Sequence, residues 1–135
     1  MSLRRKSREC ALQMLFQWGM NHQLPARIEL SFWKSTRGAV STRKFANELF
    51  EGTVAQAGAS DELVERLSKN WRIERMSEID RGILRLAIYE LRSGTAPVKV
   101  VINEAIELAK KFSSPESTPF LNGILDSAAK SLEKQ

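Results

Sequence analysis

The sequence predicts an all-α fold of seven helices. Apolar residues recur at three- and four-residue spacing from end to end, and no stretch sustains a two-residue alternation. Ser, Thr, Pro and Gly also punctuate the chain where helices start and stop. With 42% hydrophobic and 27% charged residues over 135 positions, the chain has the composition of one globular domain rather than a disordered tail.

The first helix is predicted from about Leu3 to Met20, with Ala11, Met14, Leu15 and Trp18 as its core stripe. A short second helix follows Pro25 and turns Ile28, Phe32 and Trp33 inward. Ser41 or Thr42 is placed to cap a third, in which Phe45, Leu49 and Val54 share one side and Gly58 ends the helix. Ser60 then caps a fourth, with Asp61 and Glu62 in its first turn and Leu63, Val64 and Leu67 buried.

Ser77 and Asp80 have the spacing of a capping box and open a fifth helix that reaches about Arg92, ahead of Gly94. Its Ile79, Ile83, Leu84, Leu86, Ala87, Ile88 and Leu91 cover more than half the circumference at about 100° per residue. A helix covered on that many sides needs neighbours on two flanks, so it should join two sub-bundles at the centre. After Pro97, Val98, Val101, Ile102, Ala105, Leu108, Ala109 and Phe112 define the stripe of a sixth helix. The last begins near Thr118 and Pro119 and buries Leu121, Ile124, Leu125, Ala128 and Leu132; Gly123 inside it suggests the close approach of another element.

Function classes narrow quickly. No apolar run approaches the roughly 18 residues of a bilayer span, and polar Glu9, Gln13 and Gln17 interrupt what would have to be an export signal, so a cytoplasmic location is expected. Cys10 and His22 are each the single residue of their type, which excludes an intramolecular disulfide and leaves a Cys/His zinc site or catalytic dyad unsupported. With no Gly-rich phosphate loop and no spaced carboxylate set either, the chain is read as a non-enzyme with no catalytic residue, metal or cofactor.

The net charge of +5 is localised, because Arg4, Arg5, Lys6 and Arg8 all precede the first acid, Glu9. Such a patch suits a polyanion, although a solvated, frayed basic terminus gives the same pattern. Phe16 projects about 100 to 160° away from the stripe of Ala11, Leu15 and Trp18, on an outer side shared with Arg5, Glu9, Leu12 and Gln13. Cations for phosphates beside an aromatic for base stacking suit single-stranded nucleic acid; packing under the second helix is the other reading open for Phe16. Phe120, at the margin of the last helix's stripe, is either a stacking platform beside the Ser113 to Pro119 loop or a plug for the bundle end. Lys110 and Lys111 are explained by pairing with Glu104 and Glu107 on their own helix.

Three segments together resemble the NusB family: Arg4 to Gln13, Ile79 to Leu91, and Pro97 through Asn103, Glu104 and Lys110 to Phe120, Asn122, Gly123 and Asp126. Trp71 fits the same pattern. The resemblance implies one domain over residues 1–135, with sub-bundles of roughly 1–70 and 71–135 packed around the central helix. It implies transcription antitermination by binding boxA-type single-stranded RNA together with ribosomal protein NusE, and docking on RNA polymerase with other Nus factors. By position, Arg4, Arg5, Lys6 and Arg8 match the family's RNA-contacting basic motif, and Phe120 matches an aromatic at its RNA surface. Phe16 stands where members often carry tyrosine. Asp80 and Glu116 match acidic positions near the RNA and partner surface, each one methylene away from the acid expected. Residues 21–43 match poorly and carry no assignment. A homodimer and a monomer are both compatible with the resemblance. The alternatives are an RNA-targeting domain related to the N-terminal part of RNA cytosine methyltransferases, and a purely protein-binding helical module.

Overall fold

The computed structural model describes residues 2–68 and 76–133, and among them are seven helices and no strand. They are α1 (Leu3–Asn21), α2 (Pro25–Ser35), α3 (Val40–Ala55), α4 (Ala57–Leu67), α5 (Glu78–Ser93), α6 (Val98–Phe112) and α7 (Ser117–Glu133). Trp71 lies outside the described residues.

The central position expected for α5 is observed, since it packs against α1, α3, α4, α6 and α7. Its Ser77 cap accepts from the Asp80 N–H at 3.1 Å, and Gly94 closes the far end at φ 65°, in the left-handed region where a Cβ is strained. Ile83, Leu84, Leu86 and Ile88 are almost wholly buried, each worth about 1.5–3 kcal/mol of transfer free energy. The space at Gly82 explains how α1 comes so close: a Cβ there would lie 2.9 Å from Leu12 Cδ1. One apolar cluster draws on α1 and α2 at one end and on α6 and α7 at the other.

The stretch between α3 and α4 departs from the sequence reading. α3 begins at Val40 with Ala39, not Ser41 or Thr42, at its cap position, and neither Gly58 nor Ser60 marks a boundary. Gln56 alone separates the two helices, and the Ser60 N–H already bonds to the Gln56 carbonyl at 3.0 Å. Ser60 is fully buried and accepts from Arg92 at 3.1 Å, while Asp61 sits beyond the first turn and holds Arg85 through two 2.7 Å bonds. Tertiary partners on α5 have overridden local capping preference.

Gly123 also differs from expectation. It is exposed, with nothing within 4 Å of where a Cβ would stand, so no element approaches it. In α1 the apolar surface is wider than one stripe: Leu12 and Glu9, expected on the outer side, are 1% and 5% exposed because the helix packs on both α3 and α5. His22 ends α1 from a left-handed conformation, donating its N–H to the Trp18 carbonyl at 2.8 Å.

Candidate nucleic-acid interface

The basic motif lies in the first two turns of α1, which Ser2 caps by accepting the Arg5 N–H at 3.1 Å. Consecutive residues on a helix diverge by about 100°, so four cations that read as one cluster meet four different surroundings. Lys6 points to solvent and makes no ion pair among the described residues. Arg4 is exposed, with its guanidinium 3.8 Å above the Phe45 ring of α3.

Arg5 reaches the other way, to α6, where its Nε and Nη2 donate to Glu104 at 3.0 and 2.7 Å. This bond raises the guanidinium's pKa and lowers that of the Glu104 carboxyl, which also feels Arg8. The Arg5 side chain remains 41% exposed, so the pair sits at the surface and is open to competition.

Arg8 is the buried member of the four. Its side chain is 5% exposed and donates at 2.8 and 2.9 Å to Glu90 of α5, itself 3% exposed. Thr95 adds a 2.7 Å bond to the same carboxylate. Burial alone would depress the arginine, but the bonds and charge of Glu90, with Glu104 beyond, leave its pKa raised. Arg8 therefore faces the core, paired with Glu90.

Two shallow grooves flank the outward ridge of α1. Between α1 and α6, a groove of about 340 Å³ is lined by Arg5, Lys110 and Lys111 and by Glu9, Glu104 and Glu107, so its charges balance. Lys111 lies 3.0 Å from both oxygens of buried Glu9, a cross-helix pair rather than the same-helix one expected, while Lys110 does pair with Glu107 at 3.7 Å. Between α1 and α3, a groove of about 380 Å³ is lined by Leu3, Arg4, Ser7, Ser41, Lys44, Phe45 and Glu48.

Phe16 is 39% exposed, with Gln13 and Met20 open on the same outer side, so it is not sealed beneath α2. Phe120 is half-buried against the core, a lesser exposure than a free platform has. Asp80 is 8% exposed and turned inward: its two oxygens accept from Ser113 and Ser117 at 2.6 and 2.8 Å. It anchors the loop. Glu116, in that loop, is exposed. The Glu9–Lys111 pair sets the end of α6, and so the start of the loop, beside the middle of α1.

Local spacing had no access to Glu104, Glu90 or Lys111 as partners of α1, because these bonds join residues 99, 82 and 102 positions apart. One signal existed: a glutamate on a helix covered on most sides calls for a buried counter-charge. Among the described residues no group of three or more His, Cys, Asp or Glu is arranged to hold a metal, and no helix is long and apolar enough to cross a membrane. The lone Cys10 is buried, which pushes its thiol's pKa up.

The model of the NusB family matches residues 5–130. The transcription antitermination protein NusB of Koribacter versatilis (strain Ellin345) is 45% identical over 134 residues, covering 98% of this chain and 92% of that one. Among solved structures, NusB of T. maritima superposes with a TM-score of 0.84 at 32% identity, over 94% of this chain and 90% of that one. A crystal structure of antitermination factors NusB and NusE in complex with dsRNA gives a TM-score of 0.85 at 22% identity, over 97% and 98% of the two chains, and so shares the fold.

Proposed function

The chain belongs to the NusB family, and from that premise we propose that it acts in transcription antitermination as an RNA-and-protein adaptor. In this reading it binds boxA-type single-stranded RNA together with ribosomal protein NusE, and the pair joins RNA polymerase and other Nus factors in the cytoplasm. The observation that carries the proposal is the match along nearly the whole chain to proteins named for antitermination. The related complex, in which a NusB is bound to NusE and double-stranded RNA, supports the choice of partners for a protein of this fold.

RNA then meets the outer side of α1. Lys6 offers an unpaired ammonium, Arg5 a guanidinium that must exchange Glu104 for phosphate, and Phe16 an exposed ring face for a base. Phe120 and Glu116 mark the far end of the surface, where the loop pinned by Asp80 enters α7. Arg8 contributes by holding α1 against α5, and Arg4 lies at the edge. We read residues 1–135 as one RNA-binding domain, with α1 to α3 packed mutually in the N-terminal part and α5 to α7 in the C-terminal part.

Titration of labelled single-stranded RNA tests this, with a scrambled strand and a duplex as comparators, each with and without NusE. Binding is expected to be weak and salt-sensitive alone and tighter with NusE, since phosphate contacts release counterions and the partner adds a second surface. Arg5→Ala and Lys6→Ala together should lower the affinity. Equal affinity for scrambled RNA under both conditions would sink the proposal.

A further inference from the structure

The free cations and the paired ones lie on different flanks of α1. In the α1–α6 groove each base has a carboxylate: Arg5 has Glu104, Lys110 has Glu107 and Lys111 has Glu9. A phosphate arriving there must displace an acid. The α1–α3 groove is also lined by the carboxylate of Glu48, but neither Arg4 nor Lys44 has a carboxylate within ion-pair distance among the described residues. Arg4 is instead steadied on the Phe45 ring, its guanidinium carbon 3.8 Å from the ring centroid.

Lys6 connects the two flanks. At about 100° per residue it is turned about 100° from Arg5 in one direction and about 60° from Leu3 in the other. Leu3 is 62% exposed and lines the α1–α3 groove. A chain lying on the outer side of α1 therefore passes Lys6 and reaches Leu3 before it meets Arg4 and Lys44. The groove's volume of about 380 Å³ falls at the lower end of small-ligand clefts, room for a nucleotide rather than a protein element.

We propose that the α1–α3 groove is a second RNA contact, in which a strand continuing past Lys6 lays phosphates on Arg4 and Lys44 and rests a base against Leu3. The inference rests on the RNA reading above and adds a direction to it: nucleotides flanking the recognised element bind around the N-terminal turn of α1, onto α3. Because these cations make no base-specific hydrogen bond, the contact should be insensitive to the flanking sequence.

The test uses the full chain with NusE and RNAs of two lengths: a short one of about 10 nucleotides, and the same element extended by about 8 nucleotides at its 5′ or its 3′ end. One extension is expected to tighten binding to the wild type. Lys44→Ala should remove that gain and lower the slope of log affinity against log salt by about 0.7, the share of one phosphate contact on a single strand. The same variant should leave the short RNA unchanged. Lys44→Arg should keep the gain, as should Lys130→Ala, which removes an exposed lysine from α7. The proposal is overturned if neither extension tightens the wild type, or if Lys44→Ala keeps the full gain. Failure of the short RNA to outbind its scrambled form strikes the RNA reading itself, and this one falls with it.

Discussion

Replacing Arg8 separates a structural role from a ligand role. Arg8→Met keeps the length of the side chain and the helix propensity but leaves the Glu90 carboxylate, 3% exposed, with Thr95 as its remaining hydrogen-bond donor. Breaking a buried pair from one side costs about 3–5 kcal/mol, most of it from the stranded charge. With about 2.1 cal/mol/K of unfolding entropy per residue, 135 residues give about 0.28 kcal/mol/K, so Tm should fall by about 11–18 °C. Thermal and urea unfolding read this directly. The double variant Arg8→Met/Glu90→Leu removes both charges and should recover most of the loss. It should also bind RNA as the wild type does. A single variant within about 1 kcal/mol of wild type would refute the buried pair as a structural element. A stable double variant with RNA affinity down tenfold or more would instead return Arg8 to the contact surface.

Asp80→Ala frees Ser113 and Ser117 from two charge-assisted bonds, and a loss of about 1.5–3 kcal/mol with faster amide exchange over residues 113–117 is expected; unchanged exchange would show that the loop is held otherwise. Glu104→Gln withdraws the anion that competes for Arg5, so RNA titrations should show tighter binding and a salt slope steeper by up to about 0.7, whereas weaker binding would mean that the pair itself presents Arg5. Burial, together with a hydrogen bond to Glu51 and that group's charge, pushes Glu29 up to about 8. Between about 4.5 and about 8 the folded chain therefore keeps a proton that the unfolded chain has lost, and stability falls as pH rises through that window; urea unfolding of Glu29→Gln across it should show a flatter profile than the wild type. Gly52→Ala places a methyl in the Tyr89 ring and should destabilise by about 1–3 kcal/mol, while Gly123→Ala, with open space around it, should stabilise by about 0.5–1 kcal/mol in the same unfolding assay.

Where the physics is local, the sequence is a good guide. The Ser77 cap and Gly94 stop of α5 are set by residues within one turn of each end, and the structure places both as the spacing requires. Proline before or within a first turn also located α2, α6 and α7 to within a residue or two. The α3–α4 junction was not legible, because Ser60 looks like a cap until Arg92, 32 residues away, claims its hydroxyl. The basic motif was readable as a list but not as a surface. Its division into exposed, paired and buried cations depends on which acid of α5 or α6 each one meets, and helix packing decides that. Leu12 shows the same limit, since its outward direction in an isolated helix becomes an inward one once Gly82 lets α5 approach.

This sorting bears on how a basic helix comes to discriminate among polyanions. A frayed arginine-rich terminus binds any phosphate chain and loses ordering entropy in doing so. Here the pairs Arg8–Glu90 and Lys111–Glu9 fix α1 against α5 and α6, so Lys6 and Phe16 are held on a rigid element before a ligand arrives. Glu104 meanwhile occupies Arg5 and imposes a local anionic field that a ligand offering charge alone must overcome. A strand that also stacks a base on Phe16 has a second source of binding free energy to offset that competition, of about 1–3 kcal/mol per stacked base. On the RNA reading proposed above, the competition from Glu104 falls equally on a duplex and an unpaired strand and cancels from their difference, so discrimination comes from the base that only an unpaired strand can stack on Phe16. On the same reading the balanced charges of the α1–α6 groove lower the affinity for any phosphate chain, so that charge alone gives little binding there and the stacking contact decides whether a strand is held.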